Sequence, residues 1–87
     1  DTRTFRHLGL YPNPAENYFT LKFGNNQSGI VDFRLYDLLG NSIYSNKLQA
    51  NIGYNEMSLD CSNIVPGIYS YTLSNGNQII TKQVIIK

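Results

Sequence analysis

Between Tyr18 and Phe23 the chain reads Tyr-Phe-Thr-Leu-Lys-Phe, which puts Phe19, Leu21 and Phe23 at every second position. A two-residue period belongs to a strand with one buried face and one wet face. The same period recurs from Ile30 to Asp37, where Val31, Phe33 and Leu35 face in and Asp32, Arg34 and Tyr36 face out. It recurs again from Asn55 to Asp60, with Met57 and Leu59 inward, and after Pro66-Gly67, where Tyr69, Tyr71 and Leu73 share one face. Two further strands are less orderly. From Ser42 to Leu48 the apolar residues Ile43, Tyr44 and Leu48 break parity. In the last strand Ile80, Val84 and Ile86 share a face with Lys82, while Ile79 and Ile85 share the other with Thr81, Gln83 and Lys87. Apolar residues on both faces imply either a bulge or an outer face that meets something, and periodicity does not choose. No stretch carries a helical period.

Turn formers separate these runs. Leu8–Tyr11 is a short strand stopped by Pro12-Asn13-Pro14, because proline withholds a ladder donor and holds the preceding residue extended. Ala15-Glu16-Asn17 turns the chain, and residues 24–29 form a loop of Gly, Asn, Gln and Ser. Leu38-Leu39-Gly40-Asn41 closes a tight turn with Gly40 expected at positive φ. Gln49 to Tyr54 reads as a loop, and Cys61 to Val65 as a crossing. Asn75-Gly76, between two β-rich runs, marks a terminal hairpin that runs to Lys87. Residues 1–7 have no period and read as the tail of a linker from an upstream domain, with residues 8–87 as the folded unit. Seven short strands with turns every 8–12 residues predict an all-β fold, an immunoglobulin-like antiparallel β-sandwich of about seven strands. The Cys–Trp–Cys core of antibody domains is missing, since the chain has one Cys and no Trp.

Composition narrows function mainly by exclusion. Eighty-seven residues support one modest core. The net charge of +1 is spread along the chain and offers no basic face for nucleic acid. No apolar run approaches the roughly 18 residues that a membrane-spanning helix requires. The first residues, Asp-Thr-Arg-Thr-Phe-Arg, include neither Met nor an apolar leader segment, so the chain reads as a piece of a longer protein. Cys61 has no partner for an internal disulfide and no neighbouring cation, so it is expected to be a small buried thiol. His7, alone and in the linker, is expected to be solvated and to lack the partners of a catalytic base. Asp32, Asp37, Glu56 and Asp60 fall on different strands and form no calcium-type loop. No catalytic residue, metal ligand or cofactor site is therefore expected. The seven tyrosines serve mostly in core and cross-strand packing, with a sugar-binding platform as the rival explanation.

Four segments in order carry a resemblance: Leu10-Tyr11-Pro12-Asn13-Pro14-Ala15, Leu35 to Asn41, Pro66-Gly67-Ile68-Tyr69, and Lys82-Gln83-Val84-Ile85-Ile86-Lys87. Their order and spacing resemble the type A C-terminal sorting domain of the type IX (Por) secretion system of Gram-negative bacteria, across residues 8–87. The resemblance implies a domain that directs its cargo through the outer-membrane translocon to the cell surface or medium, by way of the periplasm. It also implies a sortase-type peptidase that cuts within or before residues 1–7 and joins the cargo to lipopolysaccharide. Lys82, Val84, Ile85, Ile86 and Lys87 become the residues a partner reads. Pro12, Asn13, Pro14, Gly40, Gly67 and Tyr69 complete the signature with mainly structural duties, Gly40 and Gly67 as turn residues. A free terminal strand suits β-augmentation by a partner and carries a risk of dimerisation by strand exchange. The competing reading is an immunoglobulin-like adhesion or carbohydrate-binding module retained on the mature protein.

Overall fold

In a computed structural model, which describes residues 4–87, the chain forms seven strands in two antiparallel sheets. They are β1 (Arg6–Tyr11), β2 (Tyr18–Asn25), β3 (Gly29–Tyr36), β4 (Ser42–Ala50), β5 (Gly53–Asp60), β6 (Gly67–Ser74) and β7 (Ile79–Ile86). One sheet has the order β1-β2-β5, the other β4-β3-β6-β7. The inward sides of the alternating strands meet between the sheets. Phe19, Leu21, Phe23, Val31, Phe33, Leu35, Tyr71 and Leu73 are all buried there, as the two-residue period predicts. Phe33 lies at the centre, with ring centroids 6.4 Å from Phe19, 5.8 Å from Tyr71 and 6.1 Å from Tyr44. Tilted ring pairs at such distances are favourable beyond the area they bury.

The two disorderly strands now have physical explanations. Leu35 pairs with Tyr44 and Tyr36 with Ser42, so Ile43 is the extra residue of a bulge. The bulge absorbs the parity break: Ile43 is exposed, while Tyr44 and Leu48 pack against the core. In β7 the register with β6 runs without a break from Gly67↔Ile86 to Ser74↔Ile79. There is thus no bulge, and Ile79 and Ile85 belong to a true outer face, at 68% and 45% exposure.

Three expectations are corrected. The first strand begins at Arg6 rather than Leu8, and Phe5 is already in the core, so the folded unit extends into the expected linker. Residues 1–3 of that linker lie outside the described residues. An apolar ring beside an open edge of the core gains more from burial than from hydration, which a search for period alone does not see. His7 is not simply solvated. It is half-buried in β1, and its Nε2 lies 2.7 Å from the Tyr71 hydroxyl. Burial, and after it the charge of Lys82, hold its pKa below the ordinary 6.5. The loop expected from Gln49 to Tyr54 shrinks to Asn51 and Ile52, with Gly53 at φ 99°. The Asn55 side chain closes it, accepting the Asn51 N–H at 3.0 Å and donating to the Asn51 and Gly53 carbonyls at 2.9 and 3.1 Å.

Candidate functional site

Every strand is antiparallel to its neighbours, so the odd-numbered strands all finish at one pole of the sandwich. That pole gathers the 12–17 segment, the 37–41 turn, the 61–66 loop and the end of β7. The connections at the other pole are short, at residues 26–28, 51–52 and 75–78. The four signature segments, scattered over the sequence, are thereby brought to one end of the molecule.

The 12–17 segment fastens the terminal strand. Tyr11–Pro12 and Asn13–Pro14 are cis peptide bonds, and Ala15 is wholly buried. The Ala15 N–H donates to the Ile85 carbonyl at 2.8 Å, and the Lys87 N–H donates to the Ala15 carbonyl at 2.7 Å. The Asn13 Oδ1 accepts the Ile85 N–H at 3.0 Å. The outer edge of β7 is thus occupied at its last residues. Strand residues alternate in the direction of their main-chain groups, so Ile79, Thr81 and Gln83 aim N–H and C=O the same way as Ile85. Among the described residues none pairs with those three from outside, which leaves that length of edge open.

The five residues expected to be read by a partner divide by burial, Lys82 being an exposed residue on the same face of β7 as Val84 and Ile86. Val84 and Ile86 are core residues, at 0% and 2% exposure. Their side chains are therefore inaccessible to a partner of the folded domain. Lys82, Ile85 and Lys87 are exposed. The alternation of β7 leaves both options in the sequence, and only the position of the opposing sheet selects the buried side.

The 37–41 turn is braced by Asp37. Its Oδ1 accepts the N–H groups of Leu39 and Asn41, both at 2.9 Å, and its Oδ2 accepts the Asn41 amide at 3.1 Å. The Asp37 N–H donates to the Asn41 carbonyl at 3.0 Å, and the Gly40 N–H to the Asp37 carbonyl at 3.1 Å. These bonds favour the ionised carboxylate, with the donors on Asn41 foremost, and hold the Asp37 pKa below its usual value. Gly40 has φ 88°, as its place in the turn predicts. Gly67 does not behave as a turn residue. It opens β6 opposite Ile86, and its φ is not positive.

The 61–66 loop is held from both sides. The Cys61 N–H donates to the Asn17 carbonyl at 2.9 Å, and the Ile64 N–H to the Cys61 carbonyl at 3.0 Å. Asp60 Oδ1 accepts from the Ser62 hydroxyl at 2.6 Å and the Ser62 N–H at 2.9 Å, and those bonds lower its pKa. The Tyr69 ring is buried, and its hydroxyl donates to the Val65 carbonyl in the manner of a tyrosine corner. Cys61 is buried as expected, and desolvation raises its thiol pKa. It sits at the pole where β5 ends, whereas His7 pairs with Phe23 towards the far end of β2, so the fold does not bring the two together.

Sequence reasoning placed Asn13 in the signature with a structural duty but missed that it and Ala15 bond to β7 across some seventy residues of chain. Their only sequence signal is membership of the proline segment. On the outer face of the smaller sheet, the Lys22 Nζ lies 4.6 Å from the centre of the exposed Tyr11 ring and 5.9 Å from that of Tyr54. Two of the exposed tyrosines are thus engaged by a cation of the domain itself, and hydrogen bonding to Tyr11 and then Tyr54 raises the Lys22 pKa. No curated protein matches the chain. The family model described as a secretion system C-terminal sorting domain matches residues 9–87, which include the whole of the pole. With nearly its full length matched, the chain belongs to the C-terminal sorting domains of type IX secretion.

Proposed function

We propose that this domain is the non-catalytic export label of a longer protein, read at its terminal pole by the type IX outer-membrane translocon. The observation that carries the reading is the convergence of all four signature segments on the pole where β7 ends. There Asn13 and Ala15 hold the last residues in place, Ile85 and Lys87 face outward, and Lys82 is exposed beyond the core on the other face. The open main-chain edge at Ile79, Thr81 and Gln83 supplies donors and acceptors for an added strand, and the exposed side chains supply selectivity. The cargo is then delivered to the cell surface or the medium, and a sortase-type peptidase cuts upstream and attaches it to lipopolysaccharide. Because Phe5 is buried in the sandwich, such a cut falls before Phe5 if the released domain is to keep its core.

The test is a localisation assay. Residues 1–87 are fused to the C-terminus of a periplasmically targeted fluorescent protein in a host with the type IX translocon and in an isogenic strain without it. Fluorescence at the surface or in the medium of the intact host alone is the expected result, and the mass of the product reports cleavage. Periplasmic retention in both strains overturns the reading and favours a retained adhesion module.

A further inference from the structure

At the terminal pole two leucines project into solvent from the braced turn. Leu38 is 74% exposed and Leu39 88%. The turn does not demand them. Its five hydrogen bonds use the side chains of Asp37 and Asn41, the special conformation of Gly40 and main-chain groups. Turn tips favour Gly, Pro, Asn, Asp and Ser, and adjacent exposed leucines there cost solubility without serving the fold. Beside them lies a shallow groove lined by Ile43, Ile64, Val65 and Tyr69 together with Asp37 and Asn63, in which Ile43 and Val65 are themselves exposed. At the same end, Ile68 and Ile85 form an exposed cross-strand pair. Exposed apolar side chains therefore occur both at the turn and on the terminal strand at this pole.

We infer that Leu38 and Leu39 form a rigid apolar knob that inserts into an apolar recess on a protein of the secretion machinery, alongside recognition of β7. This rests on the sorting reading and adds a second contact to it. A turn fixed by five bonds presents its side chains with little ordering left to lose on binding, the condition under which a few residues dominate an interface. The described chain enters the fold at the opposite pole, where Arg6 pairs with Gly24. The knob lies at the far end from that entry, which favours a protein of the machinery over the upstream cargo as its occupant.

The test compares the wild-type fusion with Leu38→Ser/Leu39→Ser, Leu38→Met/Leu39→Met and a Lys82→Ala/Lys87→Ala variant, all in the translocon-competent host. Thermal unfolding of the free domains serves as the folding control. The serine pair is expected to lower export by about tenfold or more at unchanged unfolding temperature, and the methionine pair to restore it. Normal export of the serine pair while the lysine variant is blocked overturns the knob and leaves the sorting reading standing. Failure of the methionine pair to restore export overturns it too, since an apolar recess accepts either side chain. Loss of export by the serine pair together with a lower unfolding temperature also counts against it, because the leucines would then serve the fold. A wild-type domain that sediments as a dimer and a serine pair that sediments as a monomer would assign the knob to a second copy, against the proposal. Failure of the wild-type fusion to export removes the sorting reading and the knob with it.

Discussion

Replacing Ile86 by Ala separates the structural duty of the chain's end from its recognition duty. Ile86 is 2% exposed, pairs with Gly67 across the β6–β7 ladder and forms an isolated parallel bridge with Ala15. Truncating a buried isoleucine costs about 2–5 kcal/mol, since the lost transfer energy is joined by the cavity left behind. Its position beside the surface allows some collapse, which argues for the middle of that range, about 3 kcal/mol. At roughly 4–8 °C per kcal/mol for a domain of this size, the unfolding midpoint should fall by about 12–24 °C. Against a typical total of 0.05–0.15 kcal/mol per residue, that is a large share of the stability of a small sandwich. The adjacent Ile85→Ala change should cost less than about 1 kcal/mol, because the side chain is 45% exposed and its main-chain bonds to Asn13 and Ala15 remain. Both are read by circular dichroism on heating and by urea titration, with the slope of the urea curve checked for constancy. A midpoint shift below about 5 °C for Ile86→Ala, or equal shifts for the two variants, would refute the assignment of faces. The contrast also bears on terminal truncations: removing Val84–Lys87 deletes two core side chains, so lost export in such a variant reports unfolding as well as a missing signal.

Other perturbations test the clamp on β7, the two signature glycines and the titration of His7. Asn13→Ala deletes the acceptor of the Ile85 N–H and should cost about 0.5–1.5 kcal/mol. Amide exchange at Ile85 should quicken more than at Val84, and unchanged exchange at Ile85 would dismiss the clamp. Gly40→Ala forces a side chain to adopt φ 88° and should cost about 1–2 kcal/mol, although nothing crowds the new Cβ. Gly67→Ala is expected to stay within about 0.5 kcal/mol, since its Cβ would meet only the Tyr69 ring at an ordinary 3.6 Å. Equal melting temperatures for the two variants would contradict this. His7 has a folded pKa below its unfolded value of 6.5, so the unfolded chain takes up a proton more readily. Its contribution is therefore complete above about pH 6.5 and falls as the pH drops towards the folded pKa. The urea midpoint should be lower at pH 5 than at pH 8, and His7→Gln should flatten that part of the profile. A steeper fall in the variant would reverse the sign. Lys82→Ala should raise the His7 pKa in an NMR titration by removing a nearby positive charge.

Much of the fold was legible locally because a strand's two faces differ by one residue of phase. Phe19, Leu21 and Phe23, or Val31, Phe33 and Leu35, specify an inward face with no knowledge of what covers it. Gly40 announced its positive φ because few other residues tolerate one, and the proline segment announced the end of β1. The rest depended on partners far away in sequence. Whether Val84 and Ile86 or Ile79 and Ile85 would be buried depended on which side of β7 the smaller sheet lay. Ile43 could be recognised as the extra residue of a bulge only once β4 was set against β3. His7 looked like a linker residue until folding placed Tyr71 beside it. The sequence alone also supplied the order of four motifs, which is enough to identify the family. That those motifs meet at one pole, with Asn13 and Ala15 bound to Ile85 and Lys87, was decided by tertiary structure, because hydrogen bonds across seventy residues leave no periodic trace in either segment.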